Sequence, residues 1–481
     1  MTADRLLFRI SVPIVLVMLL VFPIGFVHAF TNGQNATLEI GQAAGASQFT
    51  TQVFATTQSG LNLPHDVAFD HSGNLWVADT DNNRILEFTA PFSSGEAASL
   101  EIGQPAGASE FTTSGAQTTQ SGLNVPEHIA FDSSGNLWVA DMFNCRVLEF
   151  TAPFSSGEAA SLEIGQPAGG SAFTSKACAV TQSGLEYPKS VAFDSSGNLW
   201  VVDRGNNRVL EYLYPFSNGM NANIEIGQPA GGSAFTTNNP TTSASGLSSP
   251  KDIAFNSGNL WVADGESRIL EFTAPFSSGE AASVEIGQTA GATQFTSNTC
   301  ATTQSGLCDV DGIAFDGSGN LWVGDHDNSR ALEFAASSLG TDGPSAVGVL
   351  GQSGFTSGAS STTQSTLRGN SGLTFDSSGN LWVADNFNSR VLEFASVGGP
   401  IAPVSVCPNA GGGTLMPAGA TFSYGGHTWT APSGHDGEGA TWSSYFFAGP
   451  QSTVPAPMLQ GWAGVYGNYA GTQGWIITFY C

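Results

Sequence analysis

Positive charge is what this sequence has least of. Lys and Arg total 13 in 481 residues against 39 Asp and Glu, which leaves a net charge of −26. A polyanion meets repulsion from such a chain before any contact forms, so nucleic acid is excluded as a natural partner. No Lys or Arg follows Arg390, and the C-terminal stretch therefore has nothing with which to hold anionic lipid. Charge of either sign makes up only 11%, under half of the roughly 25% of ordinary globular chains. Gly, at 60 residues, and Ser, Thr, Asn and Gln fill the polar positions. The sequence also lacks a Ser-His-Asp or Cys-His order and a Gly-rich phosphate loop opening a helix, which disfavours nucleophile and nucleotide chemistry.

The apolar run from Ile10 to Val27, behind Arg5 and Arg9 and before Val27-His28-Ala29, reads as an export signal cut after Ala29. An 18-residue run is also near the minimum for a membrane span, so a retained anchor is the alternative, with Pro13, Pro23 and Gly25 counting against it. Membrane contact is expected only through residues 1–29, and the rest of the chain is expected outside the cytoplasm, secreted or at the cell surface. Six cysteines in an exported chain read as disulfides. Fifteen pairings are possible, and spacing favours Cys300 with Cys308 and Cys407 with Cys481, leaving Cys145 for Cys178.

One segment recurs every 60 to 62 residues, each time with a tryptophan: Trp76, Trp138, Trp200, Trp261, Trp322 and Trp382. Within a copy, short β-branched and aromatic runs alternate with turn residues and give four strands, a to d: Ile129–Phe131, Leu137–Ala140, Val147–Phe150 and Ser161–Ile164. The Asp-Ser-Ser-Gly-Asn link between a and b reads as a hairpin, and as a calcium loop only if more oxygen ligands join it. A four-stranded unit of this size cannot cover both faces of its own sheet, so neighbours must stack on it. The fold class is therefore all-β, a six-bladed propeller. A d-type segment, Leu38–Gln42, precedes the first a strand and none follows the last c strand, Val391–Phe394, so the N-terminal strand should complete the sixth blade and hide the open edges.

Val77–Phe88, VADTDNNRILEF, resembles the NHL repeat, with an Asp ending strand b and Asn-Arg opening strand c. The resemblance places structural pairs at Asp79 and Arg84, Asp141 and Arg146, Asp203 and Arg208, Asp264 and Arg268, Asp325 and Arg330, and Asp385 and Arg390. An Arg fork facing a carboxylate makes a bidentate, charge-assisted bond, and six of them would tie strand b to strand c. The fourth copy, VADGESRIL, is one residue shorter. The wider propeller class implies several activities: RNA binding, which needs a basic face this chain lacks, extracellular sensing or adhesion, and lyase or lactonase chemistry.

Comparing the copies shows where a site belongs. The c–d connectors at Phe88–Gln104 and Phe150–Gln166 are identical, whereas the two residues before strand a differ in every copy. Those pairs and the b–c loops share one face. They place His65, Asp66, Glu127, His128, Lys189, Lys251, Asp252 and Asp311 around a tunnel mouth as candidate ligand-binding residues. His65 and His128 are the candidate ligands of a divalent metal, calcium or zinc, that would activate water or polarise a carbonyl.

The organisation expected is a leader or anchor over 1–29, the propeller over 30–395, a linker over 396–406 and a cysteine-bracketed, aromatic-rich β domain over 407–481. Trp429, Trp442, Trp462 and Trp475 in the last domain fit either a core or a sugar platform. His427, His435, Asp436 and Glu438 read as a polar loop or a weak metal site. The functional reading is a recognition protein that binds a protein, peptide or glycan partner, or a small ligand, on the variable face. The alternative is a metal-dependent lyase or lactonase-like hydrolase.

Overall fold

A computed structural model describes residues 30–396, except 170, 171, 232, 233, 266 and 292, and the backbone of five strands between 421 and 479. Six sheets of four antiparallel strands form a ring in which each a strand packs against the a strands of its neighbours, around the axis. In the second blade the strands are Pro126–Phe131, Leu137–Asp141, Arg146–Phe150 and Leu162–Ile164. Strand a starts three residues earlier than alternation indicated, because Pro126 still pairs with Asp141 across a bulge at Glu127. The ring closes through its own N-terminus. Leu38–Ile40 lies antiparallel to Arg390–Phe394, with Leu38 opposite Glu393 and Ile40 opposite Val391.

Apolar alternation alone leaves each blade with an uncovered face, and the tryptophans cover it. Trp76 of the first blade is fully buried among Leu137, Val139, Leu148 and Phe150 of the second, with Phe131 and Phe154 edge-on to its ring at 5.7 and 4.9 Å. The a–b turn anchors the next tryptophan. Asp132 Oδ1 accepts the backbone N–H groups of Ser134 and Asn136, and Oδ2 accepts the Asn136 amide and the Trp138 indole N–H at 3.0 and 3.2 Å. Both oxygens are thus committed to the hairpin, which is the turn reading rather than the calcium reading.

The Arg side chains are buried in every blade and do more than tie b to c. Arg84 donates Nε to Asp79 Oδ2 at 2.7 Å, Nη1 to Glu101 Oε1 of strand d at 2.9 Å, and Nη2 to the carbonyls of Thr57 and Gly60. A fork pairing both nitrogens with the aspartate occurs only in the short fourth copy, where Nε and Nη2 of Arg268 both reach Asp264 Oδ2. In the first, second, third and sixth blades the fork spans two carboxylates, so one guanidinium joins strands b, c and d and the incoming loop. Burial pushes Asp79 up to about 6 even with Arg84 pulling it down. In the fifth blade the d-strand position holds Val349, and Arg330 Nη1 donates to the Phe355 carbonyl instead.

Cys145 is bonded to Cys178 and Cys300 to Cys308, with Cα atoms 5.3 and 4.4 Å apart. Among the described residues no helix is long and apolar enough to cross a membrane. Beyond the ring, Thr421–Tyr424 pairs with His427–Thr430, and Thr472–Phe479 lies between Ser444–Ala448 and Trp462–Tyr469. The leader 1–29, the stretch 397–406, the Cys407–Cys481 bridge and the side chains of His427, His435, Asp436, Glu438 and the late tryptophans lie outside the described residues.

Candidate functional site

The d–a and b–c connections emerge together, and the start of each strand a brings two consecutive residues to the axis. In a regular strand neighbours point to opposite faces. Here bulges at Glu127, at Lys189 and at Asp311 turn both members of a pair inward. The result is two tiers. By contact, the outer tier holds His65, Glu127, Lys189, Lys251 and Asp311, and the inner tier holds Asp66, His128, Ser190 and Asp252, with Gly312 and Gly372 on its far side.

The outer tier is a chain of alternating charge. His65 Nδ1 lies 2.7 Å from Glu127 Oε2, and Lys189 Nζ lies 3.0 Å from Glu127 and 3.1 Å from Asp311. Lys251 Nζ stands 3.5 Å from Asp311 and 2.8 Å from Asp309. Burial works against ionisation of Glu127, but His65 and Lys189 outweigh it and bring its pKa to about 2. The same contest holds Asp311 well below its ordinary value, through Lys189 and Lys251. Burial opposes the charge of Lys189 as well, and Asp311 and Glu127 overcome it and raise its pKa.

The inner tier crosses the axis. His128 Nε2 lies 3.4 Å from Asp66 of the first blade and 3.3 Å from Asp252 of the fourth. Asp66 Oδ2 accepts the N–H of Ile129 and Asp252 Oδ2 that of Ile313, while Ser190 donates to Asp252 at 2.6 Å. Burial raises Asp66 to about 6 against the pull of His128, and raises Asp252. On the far side the glycines allow close approach. A Cβ at Gly372 would sit 2.2 Å from Asp66 Oδ1, and one at Gly312 2.5 Å from the Ser371 carbonyl. Glu127, Lys189, Lys251, Asp252, Asp66 and Asp311 are all buried. The eight charged and imidazole residues singled out in the sequence therefore meet and pair with one another, except that Lys251 has its nearest partner in Asp309.

His65 and His128 are engaged by different carboxylates in different tiers. Among the described residues, the donor atoms that converge within 4.8 Å belong instead to Asp309, His326 and Asp327 of the fifth blade. His326 Nδ1 lies 3.1 Å from Asp327 and 3.9 Å from Asp309. The Cys300–Cys308 bridge holds the base of this corner, and the Asp327 N–H donates to the Cys308 carbonyl. Two carboxylates and an imidazole suit zinc or manganese with open positions, although Lys251 already neutralises the other oxygen of Asp309.

Around this plug stands an aromatic rim that the sequence comparison did not single out. Phe143 and Tyr187 are 48% and 40% exposed and meet edge to face at 5.7 Å, and Phe387, 41% exposed, meets the His326 ring at 5.2 Å. Single exposed aromatics carry no meaning. These three share one face and pair with neighbours on it. The signal was present in Met142-Phe143 and Asn386-Phe387, where the other b–c loops carry polar residues.

The NHL repeat family model matches residues 61–88 and 185–212. No curated protein matches the chain. Among solved structures, a catalytically inactive virginiamycin B lyase from Staphylococcus aureus, with quinupristin, aligns at 13% identity and a TM-score of 0.41, covering 71% of this chain and 97% of that one. A second virginiamycin B lyase structure from Staphylococcus aureus, with selenomethionine, gives 13%, 0.39, 69% and 97%. A streptogramin B lyase gives 14%, 0.36, 71% and 95%. These are likenesses of fold.

Proposed function

From a six-bladed ring in which two segments match the NHL repeat, we propose that this chain is an extracytoplasmic recognition protein that binds a protein or peptide partner on the face formed by its d–a and b–c loops. The observation that carries the reading is the aromatic rim of Phe143, Tyr187 and Phe387 around a rigid, internally paired charge plug. Exposed aromatics beside fixed charges are the composition of interface hot spots, since rings bury large area at small entropic cost. The disulfides and the apolar leader support the location. The net charge of −26 argues for partners that are neutral or basic.

The test pans the exported protein against a displayed random peptide library. Enriched peptides are expected to bind Phe143→Ser/Tyr187→Ser about tenfold or more weakly, and to bind Leu213→Ser/Tyr214→Ser, on the opposite face, as well as the parent. Peptides that ignore the rim would refute the proposal. A second reading, metal-dependent lyase or hydrolase chemistry, is favoured by the corner of Asp309, His326 and Asp327 rather than by His65 and His128. It requires zinc or manganese to bind the dialysed protein, and His326→Ala to abolish that binding.

A further inference from the structure

The sixth blade takes its outer strand from the other end of the chain, and the residues before that strand stand in for a connector. In the first four blades the connector from strand c to strand d carries a Phe that packs edge-on against the tryptophan of the preceding blade, as Phe92 does on Trp382 at 5.1 Å and Phe154 on Trp76 at 4.9 Å. Phe30 fills that position for the sixth blade, edge-on to Trp322 at 5.0 Å. The hydrogen bonds keep the register from there. Ala36 N–H donates to the Gln364 carbonyl as Ala98 N–H does to that of Gln58, both at 2.8 Å, and Thr37 Oγ1 donates to Glu393 Oε2 as Ser99 Oγ does to Glu87 Oε2, both at 2.7 Å. Asn35 therefore stands where the other connectors place Ala97, Ala159, Asn221, Ala281 and Ser345.

That position is exposed in all six blades, while the alanine after it is buried in each. The residue two places on has a fixed duty. Thr37, Ser99, Ser161, Asn223 and Ser283 each donate to the glutamate of strand c in their own blade. Thr37 is thus accounted for by Glu393. No contact accounts for Asn35, whose exposed amide makes no hydrogen bond among the described residues. Together they form Asn35-Ala36-Thr37, which is the one Asn-X-Ser/Thr triplet of the chain with X other than Pro. Such a triplet on the surface of an exported chain is the acceptor pattern for an N-linked glycan. Asn221 misses the pattern only because Asn223 reaches its glutamate with an amide instead of a hydroxyl.

We propose that Asn35 is an N-glycan acceptor, an inference that rests on the extracytoplasmic location proposed for the chain. The donor is an oligosaccharide carried on a lipid pyrophosphate. The Asn35 amide nitrogen bonds to the anomeric carbon of the sugar, the bond from that carbon to the phosphate oxygen breaks, and the amide proton leaves with the lipid pyrophosphate. The fold gives the acceptor time. The Thr37 hydroxyl stays free until Glu393, 356 residues later, has been made; at about 5–20 residues per second of synthesis that is roughly 20–70 s. Once Leu38–Ile40 pairs with Arg390–Phe394, the hydroxyl is committed to Glu393, so transfer precedes closure of the ring. A glycan at this turn emerges among the c–d connectors, on the face opposite Phe143, Tyr187 and Phe387.

The test produces the full chain in a eukaryotic host that exports and glycosylates, and reads the secreted protein by intact mass and peptide mapping before and after treatment with peptide-N-glycosidase. One glycan is expected, on the peptide that contains Asn35, and its enzymatic removal is expected to convert Asn35 to aspartate. Asn35→Gln and Thr37→Val are expected to lose the glycan, and Thr37→Ser, which keeps the hydroxyl, to retain it. Asn223→Thr preserves a donor for Glu211 and completes the triplet at Asn221, so a second glycan is expected at the equivalent turn of the third blade. Asn221 left bare in that variant overturns the argument from exposure. A secreted chain with Asn35 bare, or a glycan that survives Asn35→Gln, overturns the inference and leaves the proposed location standing. A chain held in the cytosol without a glycan refutes the location, and the inference falls with it.

Discussion

Replacing Lys189 by Met keeps most of the side-chain volume and removes the ammonium that lies 3.0 Å from Glu127 and 3.1 Å from Asp311. All three residues are buried, so the two carboxylates would lose their nearest counter-charge in a place water does not reach. Breaking a buried pair from one side costs about 3–5 kcal/mol. Lys251, 3.5 Å from Asp311, and His65, 2.7 Å from Glu127, retain part of the compensation and point to the lower end. At roughly 2 °C per kcal/mol for a domain of this size, melting should fall by about 6 °C at pH 7.

The pH dependence separates charge from packing. Glu127 has its folded pKa lowered from 4.5 to about 2, so its contribution is complete above 4.5 and is lost as pH falls toward 2. Lys189 is raised, so its contribution is complete below its ordinary value of 10.5 and is lost only in strong alkali. In the variant, burial acts on Glu127 and Asp311 with less opposition, both pKa values rise, and acid relieves the strain. The gap between parent and variant should be full at pH 7 and close between pH 4.5 and 3. Thermal melts followed by tryptophan fluorescence measure this. A gap constant from pH 7 to 3 would mean lost packing, and no gap at pH 7 would refute the plug. Adding Glu127→Gln to the variant should recover part of the loss.

Deleting residues 37–42 strips the outer strand of the sixth blade, and the whole ring should then melt earlier in one transition; unchanged thermal stability would refute closure through the N-terminus. Asp132→Ala orphans two backbone N–H groups and the Trp138 indole, at an expected cost of about 2 kcal/mol, and should shift emission from Trp138 as its site loosens. Arg146→Met leaves Asp141 and Glu163 buried without their shared cation and should cost about 3–5 kcal/mol, recovered in part by Asp141→Asn/Glu163→Gln. A loss under 1 kcal/mol in equilibrium denaturation would show the Arg network to be incidental.

Blade number, strand order and closure were legible because they rest on a period of 60 to 62 residues and on a strand missing at one end and present at the other. The Arg network was half legible. Aspartate and arginine lie four or five residues apart in the chain, but the glutamate that completes it lies on strand d, 17 residues beyond the arginine, as Glu101 does for Arg84. The clue was there: Glu39, Glu101, Glu163, Glu225 and Glu285 each stand in a short apolar strand that has no reason to hold a carboxylate. At the mouth, variation between copies identified the right pairs of residues but not their arrangement. A one-residue bulge turns both members of a pair inward, and no pattern of period two announces it. His65 and His128 stand in equivalent loops yet in different tiers because His65 is the first member of its pair and His128 the second, the position of Asp66. His326 and Asp327 were visible only as loop variation, because Asp309 approaches from the d–a connection, just before strand Val310–Phe315.

Where the chain enters and leaves the ring bears on which face is free to bind. Phe30 occupies a c–d connector site, and strand c of the sixth blade, Arg390–Phe394, runs toward the same side; the Gln34 amide even donates to the Ala395 carbonyl at 2.9 Å. Both exits therefore lie on the face whose loops are near copies of one another. Identical connectors are what a scaffold requires, since each must satisfy the same strand-d Glu backbone and the same Trp in its neighbour. The opposite face carries no chain exit and no such obligation once the plug has paired its charges. A leader still attached, or whatever follows residue 396, joins the ring from the scaffold side and leaves Phe143, Tyr187 and Phe387 turned away from the point of attachment.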